Sequence, residues 1–254
     1  MSGQETNEAR GTSTLASSYF AELAEGWVSR YETQRSFQAR LAILGPLVDR
    51  YIHPGARVLD YGSGAGIFSL VASRRASLVL SLDVSAVMQR ASTKYLEQAI
   101  ELVARTGQSC HPERIYRVAG DLQCLEEKRC RFDVILAIAV LEYLDDPVRA
   151  FNTFRRIIQP DGVIIFSVPN PVSFFRRVEG PTNRLLATLG KVTNSKLFYD
   201  RRYTEFQSHR RSQRLDLLFE PIQRLEEVPL PLGMEGWRRR VHPSVLFAVR
   251  LLGS

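Results

Sequence analysis

Apolar residues run along this chain in two rhythms. Between residues 15 and 52 they recur at helical spacing. Trp27, Tyr31 and Phe37 punctuate polar sequence, and Leu41, Ile43, Leu44, Leu47, Val48 and Tyr51 form a stripe. His53-Pro54-Gly55 stops that helix. Short apolar runs then alternate with helical stretches. Strands are predicted at 57–61, 78–82, 115–119, 132–139 and 163–168. Helices are predicted at 67–74, 85–105 and 146–158, the second with Ala86, Val87, Ala91, Tyr95, Leu96, Ile100 and Val103 inward. Gln159-Pro160-Asp161-Gly162 reads as a turn. Pro169-Asn170-Pro171 ends the alternation. A helix at 212–219 and strands at 222–228 and 244–251 complete the pattern.

Near-continuous apolar strands separated by helices imply a parallel sheet covered on both faces. Parallel neighbours need a crossover, which the helices supply. The chain has 254 residues, enough for a substantial core. Residues 1–14 read as a loose polar tail and residues 15–254 as one domain. No apolar run approaches the roughly 18 residues of a membrane span. Cys110, Cys124 and Cys130 lack C-x-x-C spacing, which argues against a disulfide framework and fits a cytoplasmic protein. His53, His111, His209 and His242 are scattered, so spacing predicts no metal site.

Charge changes the picture in one place. Residues 1–170 hold 19 basic and 19 acidic residues, residues 171–214 hold 10 and 3, and residues 215–254 hold five of each. The whole excess of +7 therefore lies in one short segment, which also carries Phe174, Phe175, Phe198, Tyr199, Tyr203 and Phe206. Such asymmetry points to an anionic partner. Arginine suits carboxylate or phosphate, and aromatics suit an apolar body. Phe174-Phe175-Arg176-Arg177 would also suit peripheral contact with a membrane surface.

The strongest motif is Val58-Leu59-Asp60-Tyr61-Gly62-Ser63-Gly64-Ala65-Gly66, where a strand enters a turn with alternate glycines and a helix follows. Glycine takes positive φ and admits a ligand close to the backbone, and the helix start offers unpaired N–H groups. The spacing is G-x-G-x-G rather than the G-x-G-x-x-G of a dinucleotide site. Asp60 before it suits an ammonium better than a pyrophosphate. Asp83 ends the next strand, 23 residues beyond Asp60, where an acid commonly accepts bonds from ribose. Ser85 is placed to cap the following helix, which would leave Asp83 free. Gly120-Asp121-Leu122 follows the third strand, and Phe132–Ala137 leads into Leu141-Glu142-Tyr143-Leu144. All these features fall at carboxyl ends of strands, where open α/β sheets bind ligands.

Together these residues make the chain resemble class I S-adenosylmethionine (SAM)-dependent methyltransferases, strongly over about residues 55–170. The resemblance implies an α/β fold: a Rossmann-like three-layer αβα sandwich of about seven mostly parallel strands, the last antiparallel. It also implies an N-terminal helical cap at 15–52 and a basic lid at 171–214 after the fifth strand. By the same resemblance, Asp60 would serve the methionine amino group through its surroundings. Gly62, Gly64 and Gly66 would admit the cofactor, and Asp83 and Val84 would meet ribose and adenine. Asp121 and Leu122 would meet the adenine edge and face, and the Ala137 backbone the methionine end. Tyr31 and Arg40 are placed to reach the cofactor carboxylate, or to be core and surface residues. Leu141–Leu144 resembles a segment of ubiquinone-biosynthesis O-methyltransferases. Some of those carry a metal-binding Glu–Glu–His set there. The corresponding Ala139, Glu142 and Tyr143 make a poor divalent site, so no metal is predicted.

Methyl transfer needs an aligned acceptor, here expected to be a small molecule with a hydroxyl, anionic or lipid-linked. A hydroxyl usually needs a base, and the candidates are His209, Glu142 and Tyr143. S-adenosylhomocysteine (SAH) would be the product. Three rival readings are a nucleic-acid-modifying or nucleic-acid-binding protein, a nicotinamide-dependent dehydrogenase and a non-catalytic SAM-binding protein. No RNA-binding motif supports the first, and the glycine spacing disfavours the second. Oligomeric state is not legible.

Overall fold

The computed structural model describes residues 19–105, 109–169, 222–230 and 244–251, with a few positions between 178 and 190. Residues 19–23 are helical, and a tight turn follows at Ala24–Gly26. The remaining elements alternate as expected: α1 (Trp27–Thr33), α2 (Arg35–Tyr51), β1 (Arg57–Tyr61), α3 (Ile67–Ser73), β2 (Leu78–Asp83), α4 (Ala86–Lys94), α5 (Leu96–Ala104), β3 (Ile115–Ala119), α6 (Gln123–Glu127), β4 (Phe132–Ala137), α7 (Pro147–Ile157), β5 (Ile158–Pro169), β6 (Ile222–Leu230) and β7 (Ser244–Leu251).

The strands form one seven-stranded sheet in the order β3-β2-β1-β4-β5-β7-β6. Pairs among β1 to β5 are parallel, and β7 runs antiparallel to both β5 and β6. The expected Rossmann-like sheet with its last strand antiparallel is therefore present. Side-chain alternation splits the core between the two faces. Val58, Val134, Leu136, Ile165 and Ala248 pack with α2, α3 and α5. Their neighbours Leu59, Ile135, Ala137, Ile164, Phe166 and Val249 pack with α6 and α7. Helix α7 illustrates the local logic. Asp146 caps it by accepting from the Arg149 N–H at 2.9 Å, Pro147 opens it, and Ala150, Phe151, Phe154 and Ile157 form its buried stripe.

Three boundaries differ from the sequence reading. The stretch expected as one helix at 85–105 breaks at Tyr95 into α4 and α5. Ala86, expected inward, is exposed, whereas Ala91 is buried as expected, and Met88, Gln89 and Ser92 join it on the inward face. Apolarity alone misassigned that face, because the strand edge beneath it presents polar atoms. The turn at 159–162 is a bulge inside β5: Phe132 pairs with Ile158 but Val134 with Val163. The region expected as a cap also divides. Helix α2 buries Leu41, Leu44, Leu47 and Val48 within a core layer that Val28 and Tyr31 of α1 also join, while Phe20, Ala24 and Trp27 sit against Met88 and Ala91 of α4. Residues 1–14, the helix expected at 212–219 and nearly all of 171–214 lie outside the described residues.

Candidate active site

Strand order reverses at β1, which lies between β2 and β4. That is the switch point where open α/β sheets bind ligands. Register brings the site together, because Asp60 pairs with Ser81 on β2 and Leu136 on β4, and Asp83 pairs with Ala119 on β3. Asp60, Asp83, Asp121 and Ala137 thus end four adjacent parallel strands or follow directly.

The glycine turn is held by backbone bonds. The Gly62 and Ser63 N–H groups donate to the Leu82 carbonyl at 2.8 and 3.2 Å, and the Gly66 N–H donates to the Ser63 carbonyl at 2.9 Å. Gly62, Gly64 and Gly66 have φ of 66°, 54° and 78°. At Gly62 the requirement is double: φ is left-handed, and a Cβ would overlap the Val140 side chain. Val140 immediately precedes the turn Leu141–Tyr143, so Gly62 is where the β1 and β4 loops touch.

Two buried carboxyls face this turn. Asp60 is 2% exposed and accepts from the Ser69 hydroxyl at 2.6 Å. Burial pushes its pKa up to about 7; the Ser69 bond opposes that rise and nearby Asp83 adds to it. Asp83 accepts from the Gly64 N–H and the Ser85 N–H, each at 2.8 Å. Burial raises its pKa, and those two bonds oppose the rise. Ser85 does cap α4, accepting from Met88 at 3.3 Å, but Asp83 is not left idle, since one oxygen fastens the glycine turn at Gly64 and the other the start of α4 at Ser85. Two close, buried acids are poised for a cationic ligand and would repel a pyrophosphate. SAM carries both an ammonium and a sulfonium, so the residues present fit it and disfavour a dinucleotide.

The other expected cofactor residues differ in exposure. Val84 is exposed, as is Asp121, whose carboxylate accepts from the Gln123 N–H at 3.0 Å. Leu122, expected on the adenine face, is turned into the core with Leu59, Leu82 and Leu125, leaving little surface for a ligand. Tyr31 is core, with ring contacts to Phe37 and Phe68. Burial raises its pKa, while the adjacent Arg40 guanidinium pulls it down and Asp60 pushes it up. Arg40 lies over the Phe37 ring at 5.1 Å. The fold therefore puts Tyr31 next to Arg40 and within the electrostatic reach of Asp60.

Glu142 is buried and Tyr143 half-buried in the turn after β4. Tyr143 stacks on Tyr19 at 6.4 Å, and Phe20 meets it edge-on at 4.9 Å. Phe20 also meets Trp27, whose indole nitrogen lies 3.6 Å from where a Gly64 Cβ would sit. Among the described residues, no cluster of three or more His, Cys, Asp and Glu is placed to hold a metal. His209 lies outside the described residues. The sequence reading missed Trp27, Ser63, Tyr61 and Gln89. Tyr61 lies near enough to Asp83 and Asp121 for both to push its pKa up, after burial itself. The available signal was a hydroxyl directly after Asp60 for Tyr61 and a hydroxyl between two motif glycines for Ser63; Trp27 and Gln89 carried none.

Residues 30–220 match a family described as a methyltransferase domain. The chain belongs to that family. Its fold is the class I fold, that of SAM-dependent methyltransferases. A ubiquinone biosynthesis O-methyltransferase of Alkalilimnicola ehrlichii is 30% identical over 143 residues, covering 55% of this chain and 53% of the relative. Its counterpart in Haemophilus ducreyi is 28% identical over 162 residues, covering 60% and 63%. The matched segment thus spans only about half to three-fifths of those relatives' length. A putative SAM-dependent methyltransferase of Methanococcus maripaludis shares the fold with TM-score 0.55 at 15% identity, over 93% of this chain and 95% of its own. The putative methyltransferase SMU.776, crystallised with SAH, shares it with TM-score 0.52 at 13% identity, over 82% and 48%.

Proposed function

We propose that this methyltransferase acts on the hydroxyl of a small acceptor that is anionic or lipid-linked, with SAM seated across the ends of β1, β2 and β4. The observation that carries the reading is the paired buried acids Asp60 and Asp83 beside the glycine turn, with Glu142 and Tyr143 on the adjoining turn. The relatives named as O-methyltransferases support a hydroxyl acceptor. The cofactor supplies an activated methyl group; the protein binds it, excludes water and aligns the acceptor. Gly62, Gly64 and Gly66 let the backbone approach, and Asp83 holds the ribose. Val84 and Asp121 border the adenine, and the Ala137 backbone borders the methionine end. Tyr31 and Arg40 lie toward the carboxylate, Arg40 meeting it with the matching charge. Glu142, Tyr143 and His209 are the groups proposed to receive the hydroxyl proton.

Residues 171–214 are proposed to recognise the acceptor's anionic or apolar part, and to touch a membrane surface if the acceptor is lipid-linked. No helix among the described residues is long and apolar enough to cross a membrane. The test is methyl release over a panel of hydroxyl acceptors with and without carboxylate, phosphate or prenyl groups. Arg201→Ser with Arg202→Ser should raise acceptor KM and leave SAH binding unchanged. An unchanged acceptor KM would reject the role of the basic segment.

A further inference from the structure

The inner face of α4 carries polar residues where it meets the glycine turn. Gln89 is 7% exposed. Its amide nitrogen, which carries two hydrogens, lies within hydrogen-bond distance of three acceptors, the Ser63 hydroxyl at 3.2 Å, the Ser81 carbonyl at 3.1 Å and the Val118 carbonyl at 3.3 Å, so one hydrogen is shared between two of them. One amide therefore ties the glycine turn, β2 and β3 together. Ser81 also donates to the Ser63 hydroxyl, at 2.8 Å. The neighbours of Gln89 on α4 back the rest of the turn. Met88 lies 3.3 Å from where a Gly64 Cβ would sit, and the Ser92 hydroxyl lies 2.6 Å from the equivalent point at Gly66. Ser92 is itself held by the Arg117 Nε–H at 2.9 Å. Residues 63, 64 and 66 each rest on one residue of a single helix face.

A serine hydroxyl has two acceptor sites and one hydrogen. At Ser63 both acceptor sites are taken, by Ser81 and Gln89. Its own hydrogen remains, on a half-buried residue at the middle of the turn. We propose that Gln89 is a positioning residue for the cofactor. With Ser81 it fills the Ser63 lone pairs, so that the Ser63 hydrogen is presented to an acceptor oxygen of SAM. This rests on the turn being the cofactor site.

Calorimetric titration of SAH into wild type, Gln89→Met, Ser63→Ala and the double variant tests it, with circular dichroism confirming the fold. Each single variant should weaken SAH about tenfold, the loss of roughly one hydrogen bond. The double variant should be no weaker than the worse single, because both act through one hydroxyl. KM for SAM should rise while acceptor KM stays level, a split that mere loosening of the fold would not produce. An unchanged SAH affinity in folded Gln89→Met, or losses that multiply in the double variant, would overturn the proposal. Should Gln89→Met not fold, Ser81→Ala carries the same expectation, and its unchanged affinity would overturn the proposal equally. If wild type itself did not bind SAH, the cofactor site would fall and this role with it.

Discussion

The two sides of the candidate site are built differently. The cofactor side is local: β1, its glycine turn, α3, β2 and α4 span residues 57–94, and their contacts are backbone bonds, buried acids and the α4 buttress. The acceptor side is assembled from afar. The turn at Leu141–Tyr143 meets Tyr19 and Phe20, more than 120 positions away in the chain, through aromatic faces. Directional hydrogen bonds hold the side that must recognise one invariant ligand. Ring contacts, with weaker geometric demands, hold the side proposed to meet the acceptor.

That contrast can be broken at several points. The largest effect is expected at Asp83→Asn, which removes a charge held by two backbone N–H groups. Calorimetry should show SAH binding weakened about 100-fold, the scale of a charged hydrogen-bonded contact; an effect under threefold would leave the cofactor side without its anchor. Gly62→Ala strikes the seam between the two sides. A left-handed φ and overlap with Val140 should cost about 2 kcal/mol in denaturant unfolding. Equal stability would mean that the two loops do not press on each other.

Asp60 gives the cofactor side a pH signature. Its folded pKa of about 7 lies above the ordinary value near 4. The folded ligand-free protein therefore holds a proton that the unfolded chain has lost, and its stability falls as pH rises from about 4 through 7. A cationic ligand favours the ionised form, so SAM affinity should rise about tenfold between about pH 6 and about pH 8, with proton release. Asp60→Asn should flatten the profile; a slope that survives assigns the titration elsewhere. The smallest effect belongs to the acceptor side. Phe20→Ala should raise acceptor KM about threefold, as expected for one aromatic pair, and leave SAH affinity unchanged. Equal losses in both would show that the division is false.

Legibility followed the same line. Asp60, Gly62, Gly64, Gly66 and Asp83 stood out in the sequence because a tight strand–helix turn admits few residue types at fixed offsets. Leu122 was placed on a ligand face but packs in the core, since spacing does not say which way a side chain turns. Gln89 escaped notice because a polar residue in an amphipathic helix ordinarily faces water, whereas here it meets carbonyls of β2 and β3.

The order of strands and helices, the parallel sheet and the glycine turn with its acids follow from local chemistry: apolar period, turn residues and a strand's carboxyl end. Only tertiary structure put Tyr31 against Phe68, Val140 against Gly62 and Phe20 between Trp27 and Tyr143. Those contacts join segments whose separation along the chain carries no periodic mark. Packing chooses them by shape and burial.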